Sequence, residues 1–260
     1  MPVKLKPLSQ QVLVITGATS GIGLATAREA VNAGAAVVLT AADEPLLRRI
    51  SGELSAGGGR VHPVAADLSR PDDAAKVART AVARFGGLDT WVNSGSEGGH
   101  AAVVNGSQEA AEFLGEQAGG GAVINVGASP SDTKGFTDSL RATLRKDRAP
   151  VSVTLVRRTG APPALARAIL YAAEHPVHDL SVGPRGRRMT TTESTGLALG
   201  VGALALAVAA AFLARGRARP ALARAMRPVL IRAVARRPLR TAKFIAKRPR
   251  MAGKLIKALR

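Results

Sequence analysis

Apolar residues follow two alternating spacings over the first 182 positions. Short runs rich in Val, Ile and Leu recur at 11–16, 36–40, 60–64, 88–93, 121–126 and 151–156. Runs this uniformly apolar predict strands covered on both faces. The segments between them predict helices over 22–33, 44–54, 72–85, 108–117, 135–146 and 163–174. Ser69-Arg70-Pro71-Asp72-Asp73 predicts a helix start, with Pro and acids in the first turn. Strands alternating with helices predict an α/β fold, a doubly wound parallel sheet. Residues 177–182 predict one last edge strand.

After Gly183 the pattern changes. Residues 184–195 are expected to be a linker, which leaves 1–183 as one domain. Residues 196–214 are 19 positions of apolar residues and Gly only, eight of them Ala. As a helix they would span about 28 Å, close to the hydrocarbon thickness of a bilayer. Gly196 and Gly200, followed by Ala203, Ala207 and Ala211, give a small-residue face that permits close helix contact in lipid. The segment is either a transmembrane helix or a helix buried in a soluble assembly, such as a homo-oligomer interface. From Arg215 onward, Arg-Pro pairs recur at 219–220, 227–228, 237–238 and 248–249. The pieces between them predict a basic tail of short amphipathic helices, because proline begins a helix but is not tolerated deep inside one.

Charge divides along the same line. Residues 1–214 hold 21 Lys+Arg and 18 Asp+Glu, a net of +3, while 215–260 hold 16 Lys+Arg and no acid, a net of +16. The basic character therefore belongs to the tail, and the tail calls for its own partner. There are no cysteines, so disulfides and thiolate metal sites are excluded. His62, His100, His175 and His178 form no metal-ligand spacing, and no metal is expected. Residues 1–11 carry two lysines and no long apolar run, so cytoplasmic synthesis of the body is expected.

The most specific chemistry lies in Thr16-Gly17-Ala18-Thr19-Ser20-Gly21-Ile22-Gly23. These residues follow the first apolar run and open the first helical pattern. Glycines let the backbone turn tightly and let a pyrophosphate approach, and the helix start offers N–H groups and a partial positive charge. In a strand-to-helix context this pattern points to a dinucleotide and a Rossmann-like sheet.

Further segments follow in order. They are Ala65-Ala66-Asp67-Leu68, Leu88-Asp89-Thr90-Trp91-Val92-Asn93, Ala122-Val123-Ile124-Asn125-Val126, Lys134-Gly135-Phe136-Thr137-Asp138-Ser139-Leu140 and Val151-Ser152-Val153-Thr154-Leu155-Val156. Together with the glycine turn they make residues 8–185 resemble a short-chain dehydrogenase/reductase. The resemblance implies a nicotinamide cofactor, NAD or NADP, at the carboxyl ends of the strands. Gly17, Ser20, Gly21, Ile22 and Gly23 would hold the pyrophosphate. Asp67 would accept from the adenine amino group with Leu68 beside it, and Asn93 with the backbone after it would approach the ribose. The residue-level alternative for Asp67 is a helix cap. At the end of the second strand stands Thr40-Ala41-Ala42-Asp43. Related NADP-users often carry Arg at the position of Ala42. Asp43 either reaches the ribose, which favours NAD, or caps the next helix.

The family's catalytic pattern is a Tyr-x-x-x-Lys pair, and this chain departs from it. Tyr171 is the only tyrosine and has no lysine four residues on. The segment 126–134 runs almost directly from strand to helix, and Lys134 matches a position beyond the family's lysine. Ala128 stands where the family has a serine, Ser129 falls one place late, and Asn105 matches a position later than the catalytic asparagine. Arg157 and Arg158 bring two cations near the expected nicotinamide end. No catalytic residue is assigned.

Three functions are compatible with these residues. One is a membrane-associated dinucleotide-binding protein with impaired hydride transfer, a pseudoenzyme. A second is an active oxidoreductase in which water or Lys134 replaces the tyrosine. In the third, residues 215–260 bind anionic lipid or, less favoured by the adjoining apolar segment and the single tail aromatic Phe244, nucleic acid. The positive-inside rule places the tail on the cytoplasmic side, so association with the inner membrane face is expected.

Overall fold

Val12–Thr16 is a run of five buried residues whose side chains divide between two cores, and the molecule is built outward from it. The computed structural model describes residues 3–94, 98–127, 132–182 and 188–190, of which Asp132 and 188–190 are described by backbone alone. The chain divides after Ser194 into two units, and everything below concerns the first. The apolar segment 196–214 and the basic tail 215–260 lie outside the described residues. Among the described residues, no helix is long and apolar enough to cross a membrane.

The strands are β1 (Val12–Thr16), β2 (Ala36–Ala41), β3 (Arg60–Ala65), β4 (Thr90–Asn93), β5 (Gly121–Gly127), β6 (Val151–Arg157), β7 (Asp179–Val182) and β8 (Arg188–Thr190). They form one sheet in the order β3-β2-β1-β4-β5-β6-β7-β8. The first seven are parallel, and β8 returns antiparallel along β7. The helices are α1 (Gly21–Asn32), α2 (Glu44–Ala56), α3 (Pro71–Phe85), α4 (Gly99–Glu116), α5 (Asp132–Lys146) and α6 (Pro162–Glu174). Leu13 and Ile15 enter a core with residues of α1, α2 and α6. Val12 and Val14 enter a second core with residues of α3, α4 and α5. A parallel sheet covered on both faces explains why the inner strands read as unbroken apolar runs. Edge strand β3 is less buried and carries Pro63, whose missing donor is tolerated at a sheet edge.

Two expectations are corrected. β8 lies inside the stretch read as a linker, 184–195, because Leu180↔Thr190 and Val182↔Arg188 pair across a hairpin. Helix α4 starts at Gly99, nine residues before the predicted start at 108. Gly98, Gly99 and Gly106 dilute the helical signal there, yet Gly106 is required. A Cβ on it would stand 2.7 Å from Asn93 Oδ1 and 2.8 Å from Trp91 Nε1. A short 3-10 turn at Leu8–Gln10 was not predicted.

Candidate dinucleotide site

The turn after β1 brings its glycines into positions that other residues rarely take. Gly17 and Gly21 have φ of 58° and 55°, the left-handed region that favours glycine. A Cβ on Gly23 would stand 2.2 Å from Gly17 O, so α1 and the turn touch at backbone distance. Ile22 is buried in the first core and fixes the helix start. Ser20 is exposed and is the N-cap residue, but its side chain makes no capping hydrogen bond. With no acid in that first turn, the helix start keeps its open N–H groups and partial positive charge for an anion. Neighbouring strands brace the turn. Ala18 N–H donates to Thr40 O at 3.3 Å, Ser94 N–H to Thr16 Oγ1 at 3.2 Å, and Ser94 Oγ to Thr16 O at 2.5 Å.

Beside the turn is a cleft of about 230 Å³. It is bounded by Gly17, the Thr40–Ala42 end of β2, the 66–68 turn, Asn93, and Ala102 and Val103 of α4. Asp67 is exposed on its rim. Its Oδ1 accepts from Ser69 Oγ at 2.7 Å and Ser69 N–H at 3.0 Å. These bonds, led by the hydroxyl, hold its carboxyl below the ordinary value. Asp67 is not the cap of α3. The N-cap residue is Arg70, and Asp73 reaches back to accept from Asp67 N–H at 2.8 Å. Among the described residues, Asp67 Oδ2 has no hydrogen-bond partner. Leu68 is buried beside it, and Asn105 Nδ2 ties the turn to α4 by donating to Leu68 O and Ser69 O at 3.0 and 2.9 Å.

Two expected site residues are spent elsewhere. Asp43 caps α2, accepting from Leu46 N–H at 3.0 Å, and does not border the cleft. The side chain of Asn93 turns into the protein, where its Oδ1 accepts from Trp91 Nε1 at 2.8 Å. Its Nδ2 donates to Ser107 Oγ at 3.0 Å and Asn125 Oδ1 at 2.8 Å. With that amide consumed, what Asn93 offers a ligand is its backbone.

The same bonds open into a buried polar seam that the sequence reading missed. Ser107 Oγ donates to Asn125 Oδ1 at 3.0 Å, Asn125 Nδ2 to Thr137 Oγ1 at 3.1 Å, and Thr137 Oγ1 to Thr133 O at 2.7 Å. The seam joins the ends of β4 and β5 to α4 and α5 through amides and hydroxyls. Its available signal was the pair Asn93 and Asn125, polar residues at the same register in adjacent apolar strands.

Lys134 is ion-paired with Asp138, and that hydrogen bond, ahead of other charges, holds the Asp138 carboxyl low. Tyr171 lies near the end of α6 and stacks on His175, with centroids 4.2 Å apart. That end of α6 meets the start of β1, where Leu8 N–H donates to Glu174 Oε1 and Gln11 Nε2 to Ala173 O. The tyrosine is therefore toward the amino ends of the strands, away from the glycine turn. Arg157 lies 3.9 Å from Asp179. Ala128 and Ser129 lie outside the described residues. Among the described residues, no group of three His, Asp or Glu gathers as a metal site.

The model of the short chain dehydrogenase family matches residues 11–112. An uncharacterized oxidoreductase of Bacillus subtilis, YxnA, is 35% identical over 244 aligned positions, covering 71% of this chain and 68% of YxnA. A 1-deoxy-11-beta-hydroxypentalenate dehydrogenase of Streptomyces arenae is 44% identical over 81 residues, 31% of this chain and 29% of that one. The chain thus spans about two thirds of the first and under a third of the second. Of the 244 positions aligned with YxnA, this chain fills 71% of its 260 residues, about 185, so about 59 have no counterpart here. Among solved structures, a metagenomic short-chain oxidoreductase in complex with NADP is 28% identical with a TM-score of 0.58, covering 67% of this chain and 96% of that one. A short chain dehydrogenase from Mycobacterium smegmatis, 20% identical with a TM-score of 0.61 over 71% of this chain and 97% of that one, shares the fold. The chain belongs to the short-chain dehydrogenase/reductase family.

Proposed function

We propose that the body binds a nicotinamide dinucleotide, NAD or NADP, and has impaired hydride transfer. The observation that carries the binding is the backbone contact between Gly17 and Gly23, which leaves an open helix start beside a cleft. The residues fit the group. Gly17, Ser20, Gly21, Ile22 and Gly23 hold the pyrophosphate, Asp67 Oδ2 takes the adenine amino group, and Leu68 supports the ring. The related metagenomic oxidoreductase with NADP supports the same assignment. A bound nicotinamide supplies hydride chemistry, whereas this chain's residues bind and orient it.

Impairment rests on the missing proton donor. General acid–base work near neutral pH needs a group whose pKa is close to the working pH. The ends of β4 and β5 carry Asn93 and Asn125, which bond to each other, to Ser107 of α4 and to Thr137 of α5. Tyr171 lies toward the opposite ends of the strands, and Lys134 is paired with Asp138. Trp91, the only tryptophan, is buried two residues from Asn93 and gives a direct test. Adding NADH or NADPH is expected to quench Trp91 by energy transfer, and a flat titration with both overturns the binding. Turnover across a panel of carbonyls and alcohols, lost in Gly21→Trp, overturns the impairment.

The cytoplasmic, membrane-associated reading extends to residues 196–214 and 215–260, which supply an apolar anchor and 16 cations for anionic lipid. The full chain is expected to float with phosphatidylserine vesicles. Salt-sensitive retention on DNA without flotation would assign the tail to nucleic acid instead.

A further inference from the structure

Among the described residues, Thr40 Oγ1 is the one fully buried side-chain polar atom with no hydrogen-bond partner. Buried polar groups are almost always paired, and an orphan costs the free protein its lost hydration. Thr40 sits at the end of β2 and borders the cleft. Alternation along β2 puts its side chain on the face of Ala36 and Val38, the same face as Leu68 and Ala102 of the cleft wall. In register it lies between Thr16, which leads into the glycine turn, and Val64, three residues before Asp67. A dinucleotide laid from that turn to Asp67 carries its adenosine ribose over this position. The other side chains at the end of β2 are Ala41 and Ala42, and Asp43 is spent on capping α2. No acid or cation of β2 is therefore left to read the sugar.

We propose that the Thr40 hydroxyl turns about χ1 to hydrogen-bond the adenosine ribose, and that this neutral contact is the ribose recognition at β2. The inference rests on the dinucleotide reading above. It explains why an unsatisfied hydroxyl is kept at a buried position, since its missing partner is the ligand. Being uncharged, the contact serves NAD and NADP alike.

The test uses the full chain, ADP-ribose as the probe and calorimetry as the readout, with Thr40→Val and Thr40→Ser compared. Valine keeps the shape and removes the orphan, so the melting temperature of the free protein is expected to hold or rise, while ADP-ribose binds about three- to tenfold more weakly. Serine keeps the hydroxyl and is expected to bind within about twofold of wild type, well inside the loss for one neutral hydrogen bond. Undiminished binding by Thr40→Val overturns the proposal and leaves the dinucleotide reading standing. Equal weakening in Thr40→Ser overturns it too, because packing would then be the cause. A wild-type chain that binds no ADP-ribose overturns both.

Discussion

Gly23 is a residue of the glycine turn at which one added methyl group finds no room. The atom in its way, Gly17 O at 2.2 Å, is backbone and cannot swing aside. Gly23→Ala is expected to cost about 1–3 kcal/mol of stability, the usual range for forced overpacking. The displaced turn should also weaken dinucleotide binding by about tenfold or more, or 1.4 kcal/mol and upward. Thermal melting and calorimetry check the two effects separately. Asp67 carries a pH signature. Its folded carboxyl titrates below the ordinary 3.8 because Ser69 donates to the charged form. The stability this adds is fully present above 3.8 and is lost as pH falls through the lowered value. The carboxyl carbon, followed by NMR, should titrate below 3.8, and Ser69→Ala should bring it back toward 3.8. At this scale the glycines were legible in the sequence because strand, turn and helix start are local. The choice of partner was not. Asp67, read as an adenine acceptor with a helix cap as the alternative, also accepts from Ser69, and Asp43, read as a ribose contact or a cap, caps α2, through geometry that residue type does not encode.

Helices α4 and α5 meet the ends of β4 and β5 through buried polar side chains. The seam through Asn93, Ser107, Asn125 and Thr137 satisfies every side-chain amide it buries, in a place where an unpaired group would be costly. Asn125 is its hub, fully buried and bonded to three side chains. Asn125→Leu, which strands the remaining partners, is expected to destabilise by about 2–4 kcal/mol in urea denaturation. A change under about 0.5 kcal/mol, the ordinary surface range, would show that the seam relaxes without its hub. The seven parallel strands were readable to within two residues, the inner ones because both faces are buried and the apolar signal is continuous. The start of α4 was not readable, since glycines that normally break helices serve there to admit Trp91 and Asn93.

On the scale of the molecule, the sheet is complete although about 59 positions of the YxnA alignment have no counterpart. Losses of this size are tolerated at the loop-bearing rim, where connections vary most. The fold thus keeps its layers and the cleft at the carboxyl ends of its strands. A chain ending at Ser194 contains the whole first unit and is expected to melt within about 2 °C of the full chain, with unchanged ADP-ribose affinity. A broad, non-cooperative transition would show that the remainder supports the body. The tail's distinct charge was evident from sequence alone, whereas the hairpin that carries β8 past Val182 was hidden among basic and small residues.

The opening residues have their own consequence. Gln11 donates to Ala173 O and accepts from Thr90 Oγ1, while Leu8 N–H donates to Glu174 Oε1. Leu8 therefore waits for a helix end 166 positions later, and no nascent intermediate that stops before Glu174 can close this lock. Until then Leu8 N–H and Gln11 Nε2 are without these two acceptors.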